Sequence, residues 1–284
     1  MTHQTFMPDP EWRTRYAGMV VDAEEAVRRV MPGQRIFLAT GAGVPQALVR
    51  ALVNQRNRLA DIEIVTLFMA GEVPFAVREL AEVFTLNTFF VVGNVREMVR
   101  AGLADYTPIH LSDIPRLFGS GQMPLDVAMI QVAPPGLDGT VNLGVAVDVV
   151  RAAAENARLV LAQVNPLVPV THGDSALAVW DLDLLVPEEI PLPVMVLPPP
   201  DETLAQIGRN IAALVPDGAT VQMGIGRVAQ SVIRYLSGKK NLGIHTEMIS
   251  DTILPLLAAG AITGSNKSLD EGQVVTSFAL GSQA

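Results

Sequence analysis

Two short segments of this 284-residue chain carry residue types that could do chemistry together. The first is Gly224-Ile225-Gly226-Arg227-Val228-Ala229, which satisfies G-x-G-x-x-G/A between the strand-like run Ala219 to Met223 and a helical pattern. Glycines at such a turn let the backbone approach a ligand closely, and the helix start favours an anion. The second is Leu242-Gly243-Ile244-His245-Thr246-Glu247-Met248-Ile249-Ser250-Asp251, a strand-like run that brings a carboxylate to the carboxyl edge of a sheet. Three roles are open to Glu247 there: ribose ligand, general base or nucleophile. It falls roughly 20 residues after the glycine turn, where a ribose-binding acid sits in a dinucleotide fold. A nicotinamide-dependent oxidoreductase domain therefore competes with covalent catalysis on spacing alone.

An earlier turn, Gly41-Ala42-Gly43-Val44-Pro45, also joins a strand to a helix. Gly41 and Gly43 are candidate ligand contacts; the competing reading is a tight βα turn with Pro45 opening the helix. Other motifs fall short. The four histidines, His3, His110, His172 and His245, show no i, i+4 pairing, so no metal site is expected. The chain has no cysteine, which removes thiol nucleophiles, thiolate zinc sites and disulfides. His172-Gly173-Asp174-Ser175 lacks a G-x-S-x-G elbow and reads as a polar turn. Gly264-Ser265-Asn266-Lys267-Ser268 lacks the Gly-Lys-Ser/Thr ending of a P-loop.

The elements that must position these residues alternate. Apolar runs at 36–39, 62–67, 89–92, 127–130 and 159–162 suit strands covered on both faces, as in a parallel sheet. Helical patterns occupy 22–30, 45–54, 95–102 and 145–157 between them. Strand, helix, strand, helix is the signature of a doubly wound α/β fold. The proline-rich stretch from Pro187 to Pro200 breaks this pattern and reads as an extended connector. Domains are expected over 1–195 and 201–284. In the second, helix 202–214, strand 219–223, helix 228–236, strand 242–245 and helix 250–259 restart the series. At an offset of 184 residues, Pro32, Val44, Gln46, Arg50 and Leu52 meet identical residues at Pro216, Val228, Gln230, Arg234 and Leu236, which reads as an internal repeat.

Composition narrows the function classes. Hydrophobic residues make up 49% of the chain and charged ones 17%, with a mean hydropathy of +0.34, which excludes disorder. A net charge of −9 argues against nucleic acid as a partner. No run approaches the roughly 20 apolar residues of a membrane helix, and the N-terminus lacks a signal pattern. A cytoplasmic α/β protein is expected.

Gly243-Ile244-His245-Thr246-Glu247-Met248 with Ser250-Asp251 resembles the active-site signature of the acetyl-CoA hydrolase/transferase family, which includes 4-hydroxybutyrate and acetate CoA-transferases. Asp105 to Pro115, Pro124 to Ala128, Leu143 to Asp148, Ala162 to Pro166 and Asp217 to Gly226 resemble family segments in the same order. The resemblance implies two CoA-transferase-type domains with mostly parallel sheets. It implies Glu247 as nucleophile, CoA contacts along Gly224, Ile225, Gly226, Arg227 and Val228, and the Val228 amide as a donor to the thioester oxygen. CoA would be a substrate, with no tightly bound cofactor. The other partner would be a small carboxylic acid for a transferase, or water for a hydrolase with the same site. Family chains continue past the equivalent of Phe278 to Gly281. The resemblance thus implies an incomplete second domain, served by a homo-oligomer or a complementing C-terminal chain and poorly active alone. Where Ser-Asp-Gly is usual, this chain has Ser250-Asp251-Thr252. The closing run 274–281 is expected to leave an open edge or an exposed apolar patch.

Overall fold

The computed structural model describes residues 6–195 and 198–282. The chain divides between Pro193 and Val194 into two compact units.

The first unit contains strands β1 (Arg35–Leu38), β2 (Ile62–Thr66), β3 (Phe84–Thr88), β4 (Ala104–Tyr106), β5 (Leu125–Val132), β6 (Thr140–Asn142), β7 (Ala157–Val164), β8 (Ala176–Ala178) and β9 (Leu184–Pro187). Seven of them form one sheet in the order β4-β3-β2-β1-β5-β7-β9, with every neighbouring pair parallel. β6 and β8 pair antiparallel apart from it. Ile36, Phe37, Leu38, Ile62, Ile64, Leu125 and Met129 are fully buried, which is why these strands read as unbroken apolar runs. The sheet order reverses between β1 and β5, and ligands of doubly wound sheets bind at the carboxyl ends of strands at such a point. The turn from Gly41 to Val44 lies there.

The second unit contains helix Glu202–Leu214, β10 (Thr220–Val221), helix Arg227–Ile233, β11 (Gly243–Ile249), helix Leu254–Ala258 and β12 (Val275–Ala279). Its sheet runs β10-β11-β12, again parallel throughout. Ile233, Leu236, Leu242, Ile244 and Leu256 form its core. Helix Glu202–Leu214 starts where Asp201 accepts a hydrogen bond from the Leu204 amide at 2.9 Å, so its bounds match the sequence pattern.

Some expectations need correction. The run 89–92 is not a strand: β3 lies at 84–88, and polar Asn87 and Thr88 had hidden it. Both are buried but satisfied, Asn87 by Glu63 and Thr107, Thr88 by the Leu67 and Phe90 carbonyls. Phe89 instead packs against Phe118, and Phe90 is exposed. The helix expected over 145–157 covers only Val150–Asn156, and that over 250–259 becomes a 3₁₀ turn, Asp251–Ile253, followed by Leu254–Ala258. β12 forms a sheet edge, but Phe278 and Leu280 are buried, so the expected exposed patch is absent from it. Exposed apolar side chains appear instead along helix Glu202–Leu214, at Ile207, Ile211 and Leu214. Among the described residues no helix is long and apolar enough to cross a membrane.

Candidate active site

Glu247 lies in β11, the central strand of the second unit's sheet. Side chains alternate faces along a strand, so Ile244, Thr246 and Met248 share one face, all buried. Glu247 points from the opposite, more open face, between exposed His245 and half-buried Ile249. Its carboxylate has no hydrogen-bond or ion-pair partner among the described residues. Partial burial without a compensating donor holds the Glu247 carboxyl above the ordinary glutamate value. Its main chain is tightly held: its carbonyl oxygen accepts from the hydroxyls of Thr276 at 3.0 Å and Ser277 at 2.8 Å.

The glycine turn follows β10 on the neighbouring strand. β10 pairs with β11 only through Thr220↔Gly243 and Val221↔Ile244, after which the chain leaves the ladder. Two side-chain bridges then tie the turn to β11 and to the residues just after it. Thr246 Oγ1 accepts from the Met223 amide at 2.8 Å and donates to the Met223 carbonyl at 2.7 Å. Gln230, buried in the following helix, donates to the Gly224 carbonyl at 3.4 Å and accepts from Ser250 at 2.8 Å and Thr252 at 2.9 Å. Thr252, where the family resemblance leads one to expect glycine, is thus a member of this bridge.

Gly226 is the N-cap of helix Arg227–Ile233 and offers no side chain to the first-turn amides, Val228 among them. Its φ of −72° suits any residue, and a Cβ built on Gly224 or Gly226 would meet nothing within 4 Å. Neither backbone strain nor packing demands glycine at these positions. The space beside them is open among the described residues. Arg227 is exposed and lies 3.6 Å from Asp201, and Val228 is also exposed.

Gly41 and Gly43 lie in the first unit, and there the protein itself supplies the reason for glycine. Gly41 has φ +54°, with its amide bonded to the Phe68 carbonyl at 3.0 Å. A Cβ on Gly43 would lie 2.7 Å from Cβ of Ala146. The next helix, Gln46–Asn54, already has its Ala47 amide capped by Gln163 Oε1 at 2.8 Å, within a buried network that includes Gln131 and Asn165. Val44 is buried, whereas its repeat counterpart Val228 is exposed.

The discarded motifs have structural roles. Ser175 Oγ donates to the Thr171 carbonyl, and Asp174 pairs with Arg151. Buried Lys267 donates to the carbonyls of Ile244 at 3.2 Å and Gln273 at 2.7 Å. Thr246, Gln230, Thr276 and Ser277 were not singled out from sequence. Gln230 carried a signal in its identity with Gln46 in the repeat, and Thr246 lies within the segment that resembles the family's active-site signature.

Residues 6–198 match the family described as acetyl-CoA hydrolase/transferase N-terminal domain. The chain is 39% identical over 273 residues to a 4-hydroxybutyrate coenzyme A transferase of Clostridium kluyveri, covering 96% of this chain and 64% of the relative. It is 38% identical over 283 residues to a succinyl-CoA:acetate/propanoyl-CoA:succinate CoA transferase of Fasciola hepatica, covering 99% and 58%. Among solved structures it is similar to RipA from Yersinia pestis, at TM-score 0.87 and 28% identity, over 96% of this chain and 66% of that one. A 4-hydroxybutyrate CoA-transferase from Porphyromonas gingivalis superimposes at TM-score 0.82 and 33% identity, over 95% and 65%. The chain thus spans less than two thirds of the length of these relatives.

Proposed function

The chain belongs to the acetyl-CoA hydrolase/transferase family, and from that premise we propose that it takes part in moving CoA from a short acyl-CoA to a small carboxylate, with Glu247 as the covalent carrier. Family membership supports a CoA-contacting role for this turn over the dinucleotide reading. The observation that carries the proposal is the Glu247 carboxylate itself: anchored through its main chain, half-buried and without a partner among the described residues.

The ionised carboxylate attacks the thioester carbonyl carbon and expels CoA thiolate, leaving an acyl-glutamyl anhydride. The thiolate then attacks the glutamyl carbonyl of that anhydride, which releases the acyl group as a free carboxylate and forms a glutamyl-CoA thioester. An incoming carboxylate reverses both steps. It attacks the glutamyl carbonyl and expels CoA thiolate, forming a new acyl-glutamyl anhydride. The thiolate then attacks the acyl carbon, giving the new acyl-CoA and freeing the Glu247 carboxylate. No external base is needed, because a glutamate is ionised at neutral pH. The uncapped amides after Gly226, that of Val228 foremost, serve the oxyanion. One such donor contributes about 2.7–4 kcal/mol of transition-state stabilisation. CoA runs along Gly224 to Val228, past the open space beside Gly224 and Gly226.

Hydrolysis at the same site is a second reading, favoured by the open face on which Glu247 stands: water admitted to the anhydride or thioester would end the cycle with free acid. Intact mass spectrometry after incubation with acetyl-CoA or succinyl-CoA and borohydride tests the carrier role. Reduction of a glutamyl thioester to the alcohol removes about 14 Da, as a covalent intermediate requires. The loss should appear only after acyl-CoA treatment and should vanish in Glu247→Gln. Thiol release without an acceptor acid separates hydrolase from transferase. Absence of the adduct from the wild-type chain overturns the carrier role.

A further inference from the structure

Beyond Val221↔Ile244 the ladder between β10 and β11 has ended, yet the glycine turn must keep a fixed height against the strand that carries Glu247. At that point the Thr246 hydroxyl binds both polar atoms of Met223, the residue before Gly224, accepting at 2.8 Å and donating at 2.7 Å. Thr246 is 5% exposed and Met223 4%, so water offers neither atom a substitute. One hydroxyl therefore does the work of two missing ladder bonds, on the residue directly preceding Glu247. Its opposite neighbour is equally defined, since Thr246 pairs with Thr276 of β12.

We propose that Thr246 is a positioning residue, whose hydroxyl sets the register of the Gly224–Val228 turn against Glu247. It touches no reacting atom. This rests on the carrier role proposed for Glu247. Misplacing a reacting group by about 1 Å costs on the order of 10²-fold in rate, so the effect belongs to the chemical steps rather than to CoA affinity.

The test is the rate at which the borohydride-sensitive adduct forms on the full chain mixed with acetyl-CoA, measured for wild type, Thr246→Val, Thr246→Ala and Thr246→Ser. Valine keeps the shape and removes both hydrogen bonds; serine keeps the hydroxyl. Thr246→Val and Thr246→Ala should slow adduct formation about 10–100-fold, with the acetyl-CoA concentration for half-maximal rate nearly unchanged. Thr246→Ser should restore most of the rate. Amide hydrogen exchange at Met223 should accelerate in the first two variants only. Wild-type rates in folded Thr246→Val would overturn the positioning role and leave Glu247 as carrier. Failure of valine and alanine variants to fold while serine folds would make the hydroxyl a stability element, and also overturns it. No adduct in wild type overturns the carrier role and this inference with it.

Discussion

The Ser277 hydroxyl donates to the main-chain carbonyl of Glu247 at 2.8 Å, so β12 grips this residue by its backbone and leaves its carboxylate alone. Thr276 repeats the grip at 3.0 Å. A carboxylate locked in an ion pair would be a poor nucleophile. One oriented by its main chain, with no donor on it among the described residues, keeps its lone pairs available.

That environment predicts a pH dependence. Burial raises the Glu247 carboxyl above its ordinary value, so the acid limb of kcat/KM for acyl-CoA should lie above the usual glutamate range. Adduct-formation rates from pH 4 to pH 8 measure it; a limb at or below the model-peptide value of about 4.3 would contradict the desolvated site.

The same shift makes a stability prediction of opposite sign to that for an ion-paired acid. The folded state binds this proton more tightly than the unfolded chain does. Ionised Glu247 therefore weakens the fold, and that weakening disappears as pH falls through the unfolded value. Glu247→Gln should raise the thermal midpoint at pH 7, and the gain should shrink towards zero below about pH 4.3. Thermal melts of both proteins across that range decide it.

The two glycine turns should respond differently to valine. Gly226→Val should change stability by less than about 1 kcal/mol, since φ is ordinary and the space is open, while CoA binding weakens severely. Gly41→Val meets a positive φ and a Phe68 ring atom 3.3 Å from the new Cβ, so a loss on the order of 3 kcal/mol is expected. Denaturant melts beside calorimetric CoA titrations separate the cases. Normal CoA affinity in Gly226→Val would return that turn to a structural role.

Gln131→Leu should be among the most damaging single changes in the first unit. Gln131 accepts from Gln163 at 2.8 Å and Asn165 at 3.1 Å and donates to the Ala42 carbonyl at 3.3 Å. Stranding these buried partners should cost about 2–4 kcal/mol, measurable as a lower urea midpoint at unchanged slope.

Sequence patterning exposed most of the scaffold because β1, β2, β5 and β7 are apolar on both faces. It failed where polarity and burial diverge. Asn87 and Thr88 belong to a strand because Glu63, Thr107 and the Leu67 carbonyl satisfy them, partners that lie 20 to 24 residues away. The candidate site divides in the same way. Glu247 and the Gly224–Val228 turn were visible as residue types, but Thr246, Gln230, Thr276 and Ser277 act through partners 20 to 30 residues away, which no local pattern encodes.

Glycine at the cap of helix Arg227–Ile233 offers the first-turn amides no side-chain acceptor. The first unit fills the corresponding place with Gln163. Occupancy then becomes part of the folding equilibrium of the second unit: a ligand at one hundred times its Kd adds about 2.7 kcal/mol to the native state. In a calorimeter, CoA should delay the melting of the half that carries Glu247 and leave the seven-stranded half to unfold where it did before.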